Sequence, residues 1–231
     1  MTIDHIVEQG EHLAQIARKY GFTTITTIWN APENAKLKAE RHNPNVLFPG
    51  DKLTIPDKRL HEFDRSTEQR HTFQLKGKEL MLRNALHGLD NQPLSGHEGT
   101  LAVGTEAKNF TTDSDGMIER EIPTDARNGT LIDRGPPPGP NEVRLDRTIA
   151  VRIGDLDPVK ELSGQIARLN NLGYSAGEIP DRPFSDAEAE AVRKSVRFRS
   201  AVEEFQCDFK LGIDGVCGKQ TQAKLLEVHG S

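Results

Sequence analysis

The 231-residue chain has room for two or three small domains, and 35% hydrophobic with 5% aromatic content argues against one large core. A net charge of −5, with acidic and basic residues mixed along the chain, builds no basic face and argues against nucleic acid as a partner. No window approaches the roughly eighteen apolar residues of a membrane span. The opening residues Met1 to His5 lack the cationic and apolar runs of a secretory signal, so cytoplasmic synthesis without a signal peptide is expected.

From the start of the chain, Ile6-Val7 reads as a short strand, with Gly10 permitting a tight turn out of it. Leu13, Ile16, Ala17 and Tyr20 follow at helical spacing, and Gly21 is placed to cap that helix. A second helical region carries Ile25, Ile28 and Trp29, and Asn34 is placed to start another turn. After the turn Pro49-Gly50-Asp51, Leu53 and Ile55 alternate with polar neighbours until Pro56, which donates no ladder hydrogen bond, ends the strand. The order over residues 1–58 is β-α-α-β.

The period changes to two over residues 70–155. Residues 71–75, 79–83 and 148–153 alternate as strands, and Asp90 to Leu94 marks a turn. Asp113-Ser114-Asp115-Gly116 is a hairpin turn signal ahead of Met117, Ile118 and Ile122. The run from Arg134 to Pro140 is too rich in proline and glycine for a helix or inner strand. Short strands at regular spacing suggest a small β-sandwich. Asp113 and Asp115 alternate like calcium ligands, but the rest of such a loop is missing downstream, and turn formation accounts for both.

Helical spacing returns over residues 156–231. Val159, Leu162, Ile166, Leu169 and Leu172 form one apolar stripe stopped by Gly173. Ser185 and Glu188 form a capping box for a long helix running through Val192, Phe198 and Val202 to Phe205-Gln206. Asp214-Gly215 turns the chain, and Thr221 starts a final helix with Leu225 and Leu226, three helices in all. Cys207 and Cys217 are close enough in sequence for a disulfide, but cytoplasmic synthesis favours two reduced thiols. The expected fold is therefore α+β and multidomain.

Two ends of this chain resemble known binding modules. His5 to Ala17, closing with Leu47-Phe48-Pro49-Gly50-Asp51-Lys52-Leu53-Thr54-Ile55-Pro56, resembles the LysM domain, which holds N-acetylglucosamine units of peptidoglycan or chitin in a shallow groove. The resemblance implies that Gly10, Glu11, His12 and Leu13 form one side of that groove and Asn45, Val46, Leu47, Phe48 and Pro49 the other. Backbone amides for an N-acetyl group and apolar side chains for a ring face suit a neutral sugar. Two departures stand out: Glu11-His12 replaces the usual Asp-Thr, removing a capping hydroxyl, and residues 30–46 are longer and more charged than is common. The groove is either reshaped for its sugar or reused for a protein partner. Trp29, by its helical spacing with Ile25 and Ile28, belongs to the core rather than to a stacking platform.

Leu169 to Tyr174, Phe205-Gln206, Asp214-Gly215 and Thr221 resemble the three-helix peptidoglycan-binding domain of wall hydrolases. This implies a second wall-binding set of Tyr174, Phe205, Gln206, Asp214, Gly215 and Thr221, although residues 179–184 lack the first repeat of that family. The middle segment is similar to carboxypeptidase-regulatory-like or immunoglobulin-like spacers. The whole arrangement resembles accessory proteins of type VI secretion and related contractile injection spikes. It implies a peptidoglycan or N-acetylglucosamine glycan partner, with a spike or effector protein as a further one, and action in the periplasm or a target cell envelope after non-classical delivery. A structural or cargo-adaptor role on such a spike is the rival reading.

No catalytic, metal or cofactor site is expected. The eight histidines are scattered and none sits in a metal-binding helix motif. There is no nucleophile elbow, and Glu203-Glu204 are adjacent on a helix and point to different faces.

Overall fold

The computed structural model describes residues 2–58, 64, 66–70, 72, 80–88, 90, 92–136 and 146–230. The strand expected at 71–75 lies outside them except for Thr72, as do Glu79, Asn91 and residues 137–140 of the proline-rich run. The fold is α+β. Three hydrophobic clusters form, drawn from residues 7–55, 80–153 and 159–228.

In the first segment β1 (Ile3–Ile6) pairs antiparallel with β2 (Lys52–Ile55), with Ile3 opposite Ile55. Between them run α1 (Leu13–Lys19), α2 (Thr26–Trp29), a 3-10 turn (Pro32–Asn34) and α3 (Ala35–Arg41). Leu13, Ile16, Ile28 and Leu53 are fully buried, and Trp29 joins that core. The extra helix α3 occupies the long charged segment, so the order is not a plain β-α-α-β. Asn34, at the end of the 3-10 turn, ties this insertion to the sheet. Its buried carboxamide donates to the carbonyls of Ile28 (2.8 Å) and Thr54 (2.7 Å) and accepts from the Thr54 amide (2.8 Å), buckling the helical layer to β2.

The middle segment holds two antiparallel sheets around one core. β3 (Leu80–Ala85) pairs with β6 (Met117–Ile122). β4 (Glu98–Val103), β5 (Glu106–Thr111), β7 (Asn128–Asp133) and β8 (Arg147–Arg152) form a second sheet in the order β5-β4-β7-β8. Leu101, Leu131 and Ile118 are its most deeply buried residues. The expected Asp113–Gly116 hairpin is a crossover instead, because β5 and β6 belong to different sheets. The turn forms as anticipated: Asp113 Oδ1 accepts from the amides of Asp115 (2.9 Å) and Met117 (2.8 Å), and Gly116 takes a left-handed φ of 70°.

The third segment has four helices among the described residues, not three: α4 (Leu162–Asn171), α5 (Asp186–Lys194), α6 (Val196–Asp208) and α7 (Lys219–His229). The Ser185–Glu188 capping box is present. The long helix expected after it breaks at Ser195, which is extended (φ −65°, ψ 145°) and caps α6 by accepting from the Phe198 amide. A serine hydroxyl that competes for backbone groups divides the helix. α5 buries no residue fully, whereas α6 buries Phe198, Val202 and Phe205.

Candidate functional site

The two loops expected to flank a groove leave the β1–β2 sheet at the same end. Val7 and Gly50 are joined by a 2.9 Å hydrogen bond, and the Val7 amide donates to the Asp51 carbonyl at 2.9 Å, so the loops begin side by side. In the first, Gly10 takes a φ of 78° and Leu13 is fully buried. Glu11 is 4% exposed, so its side chain faces inward. Its carboxylate lies 2.7 Å from His5 Nε2, accepts from the Glu8 amide at 3.0 Å and meets Lys19 Nζ at 3.3 Å. Burial opposes its ionisation, but the Glu8 amide, His5 and Lys19 prevail and hold the carboxyl below its ordinary value. His12 is the N-cap of α1 and makes no capping bond, as its replacement of a hydroxyl residue anticipates.

In the second loop, Val46 and Leu47 are buried, Phe48 and Pro49 half-buried, and Asn45 exposed. Arg41 pairs with Asp51 through two hydrogen bonds, of 2.8 and 2.7 Å, and its guanidinium lies 5.8 Å from the Phe48 ring centre. Asp51 also accepts from the Phe48 amide at 2.9 Å, so the ion pair fixes the loop. Hence Gly10, Asn45, Phe48 and Pro49 retain exposed surface, while Glu11, His12, Leu13, Val46 and Leu47 are buried beneath them.

Residues 5–56 match the LysM domain family. The match covers the first segment alone, from His5 before the first loop to Pro56 after β2. No curated protein and no solved structure matches the chain. LysM domains generally bind peptidoglycan and N-acetylglucosamine glycans.

The second set of expected site residues comes together, but as an internal lock. Buried Gln206 turns Nε2 toward Asp214 Oδ1 (2.8 Å), the Val216 carbonyl (3.1 Å) and Thr221 Oγ1 (3.0 Å), sharing its two N–H donors among the three. Its oxygen accepts from the amides of Asp214 and Gly215, both at 3.0 Å. Phe205 is fully buried, and Tyr174 packs edge-on against it at 5.5 Å while donating to Asp208 at 2.8 Å. Burial first, then the bond to Asp208, push the Tyr174 phenol up. Of the six, Asp214 alone is exposed.

Sequence reasoning missed two features. Arg168, 1% exposed, donates to the carbonyls of Asp157 and Gly164, both at 2.8 Å, and anchors the chain entering α4. Burial brings its pKa down to about 10, still charged at neutral pH. Its place between Ile166 and Leu169 in an apolar stripe was the available signal. The other is a contact between the LysM loop and the middle segment, described below, which no local pattern announces. Cys207 is exposed, Cys217 half-buried, and both thiols are free. Among the described residues, no group of three or more His, Cys, Asp or Glu side chains is placed to hold a metal ion. No helix there is long and apolar enough to cross a membrane.

Proposed function

We propose that this chain is a non-catalytic glycan-binding protein that holds peptidoglycan or another N-acetylglucosamine polymer through its LysM module. The observation that carries the reading is the family match over residues 5–56 on a module whose two loops emerge together from one end of its sheet. Phe48 and Pro49 supply apolar surface for a sugar ring, and the loop backbone supplies amides for an N-acetyl group. The Gln206 lock favours a supporting role for the third segment over a second glycan site.

A second reading has its own support. Part of the first loop is packed against the rest of the chain, the behaviour of a LysM fold used for protein contacts. In that case the chain is an adaptor on a contractile injection spike, and the same apparatus delivers it to the periplasm or a target envelope.

Co-sedimentation with insoluble peptidoglycan tests the first reading, using the intact chain beside Phe48→Ala and Asn45→Ala. Retention that falls by about fivefold or more in either variant supports it. Retention unchanged by both places the affinity elsewhere, and no retention of any form transfers the weight to the adaptor.

A further inference from the structure

The sugar-side loop of the LysM module is partly roofed by the chain itself. Gly154, just beyond β8, sits so close that a methyl added to it would lie 2.5 Å from the Gly10 carbonyl oxygen and 3.1 Å from His12 Cδ2. A methyl added to Gly10 would lie 3.0 Å from Asp155 Oδ1. Two glycines facing each other allow backbone to meet backbone, an approach no other residue permits. Around this point Gln9 Nε2 reaches Asp155 Oδ1 at 3.4 Å, and Arg18 pairs with Asp125 at 2.9 Å. With the Gln15 carboxamide oxygen turned toward Arg127, it accepts from Nε at 2.8 Å and Nη2 at 3.2 Å. Phe48 of the second loop and Gln9 of the first share a cleft of about 150 Å³ with Asp157, Glu161 and Phe184.

At the centre lies His12, 2% exposed, with neither ring nitrogen completing a hydrogen bond of good geometry. A buried polar ring left in this state costs free energy that would be recovered on exposure to water. The remaining bonds across the contact are few and at its rim, and the Arg18–Asp125 pair is more than half exposed on both sides, so it contributes little. Such a contact is held shut by modest packing and opened by a modest force.

We infer that the middle segment acts as a lid on the LysM loop, docking over Gly10 and His12, and that protonation of His12 opens it. The inference rests on the glycan-binding reading of that module. The groups facing His12 set the sign. From the middle segment come the Arg127 cation and the Ala126 carbonyl, with Asp155 beside Gly10 and Asp125 engaged by Arg18; from its own loop comes Glu11, already held by His5 and Lys19. Burial, with Arg127 adding to it against the opposing Ala126 carbonyl and Glu11, holds the imidazole below its ordinary 6.5. The docked form therefore keeps its full stability above pH 6.5 and loses it as the pH falls below that value, because the undocked ring takes up a proton first. At pH 5.5 an exposed imidazole of ordinary pKa favours opening by up to about tenfold.

The test uses the full chain with Cys207→Ser and Cys217→Ala, adding Arg18→Cys and Asp125→Cys so that a short bismaleimide ties the lid shut from its exposed rim. Chitotetraose binding is measured by calorimetry, and the radius of gyration by small-angle scattering, at pH 7.5 and 5.5. Without the crosslink, affinity rises up to about tenfold and the radius grows on acidification; with it, binding weakens at least about fivefold and the radius stays fixed. His12→Leu, apolar and of similar size, holds the compact radius at both pH values. Equal sugar affinity with and without the crosslink overturns the lid while leaving the glycan reading intact. An unchanged radius in the parent, or an acid expansion that His12→Leu retains, overturns the role of His12. Failure of every form to bind chitotetraose removes the glycan reading and the masking with it, and the scattering alone then decides whether the contact opens in acid.

Discussion

Replacing Gln206 with leucine separates a structural lock from a ligand contact in the third segment. The carboxamide makes five hydrogen bonds, of 2.8 to 3.1 Å, to Asp214, Gly215, Val216 and Thr221. Asp214 is exposed and regains water when Gln206 is lost, and the Thr221 hydroxyl keeps the Val216 carbonyl as a partner at 3.4 Å; the buried Gly215 amide has neither. Stranding that amide costs about 1–3 kcal/mol and losing the two N–H donors of the carboxamide about 1 kcal/mol each, while the added apolar burial of leucine offsets roughly 1 kcal/mol, leaving a net loss of about 3 kcal/mol. For a unit of this size that lowers the melting temperature by at least about 12 °C. The chain supplies its own control. Its single tryptophan, Trp29, lies in the core of the LysM module, so fluorescence follows that module while far-UV circular dichroism follows the helices. Gln206→Leu should shift the helical transition and leave the tryptophan transition in place. A helical shift below about 4 °C refutes the lock.

Other perturbations have equally definite outcomes. Burial pushes the His229 imidazole down to about 4, so the third segment is fully stable above pH 6.5 and loses on the order of 2 kcal/mol by pH 5; urea titrations at pH 7 and pH 5 measure this, and His229→Gln should abolish the difference. Cys217 is pushed up to about 12 by burial while Cys207 is exposed, so iodoacetamide at pH 8 should modify Cys207 first, as peptide mass mapping would show. Asn34→Leu removes three short bonds between the helical layer and β2 and should destabilise the LysM module by about 2–4 kcal/mol, read by Trp29 fluorescence in urea. Arg168→Met removes two buried charge-assisted hydrogen bonds to the Asp157 and Gly164 carbonyls and should cost about 2–3 kcal/mol in the helical transition.

Much of the local structure was readable because its causes are local. Apolar spacing at Leu13, Ile16 and Ala17 locates α1, and the Ser185–Glu188 box locates the start of α5. The LysM resemblance followed from residues that build a compact module with little help from the rest of the chain. What escaped depends on distant partners. Ser195 continues an apolar helical pattern in sequence, and only its conformation reveals a break. The Asp113 turn was evident, but which sheet receives the next strand is decided by β3, some thirty residues upstream. Phe205, Gln206 and Thr221 were picked out by the family motif, and their burial, which that motif does not announce, has them holding a corner together. Nothing near His12 in sequence indicates that Gly154 lies against it.

The pairing of Ile3 with Ile55 has a consequence for how this module travels. Its entry and exit are neighbours at one pole, while the loop after β1 and the loop before β2 emerge from the other. A segment whose two covalent ends lie side by side can be grafted, duplicated in tandem or exchanged between chains without stretching either one. The covalent tether at that pole leaves the opposite end free, and it is the docked contact through Gly154 that reaches it. Geometry of this kind makes a module portable.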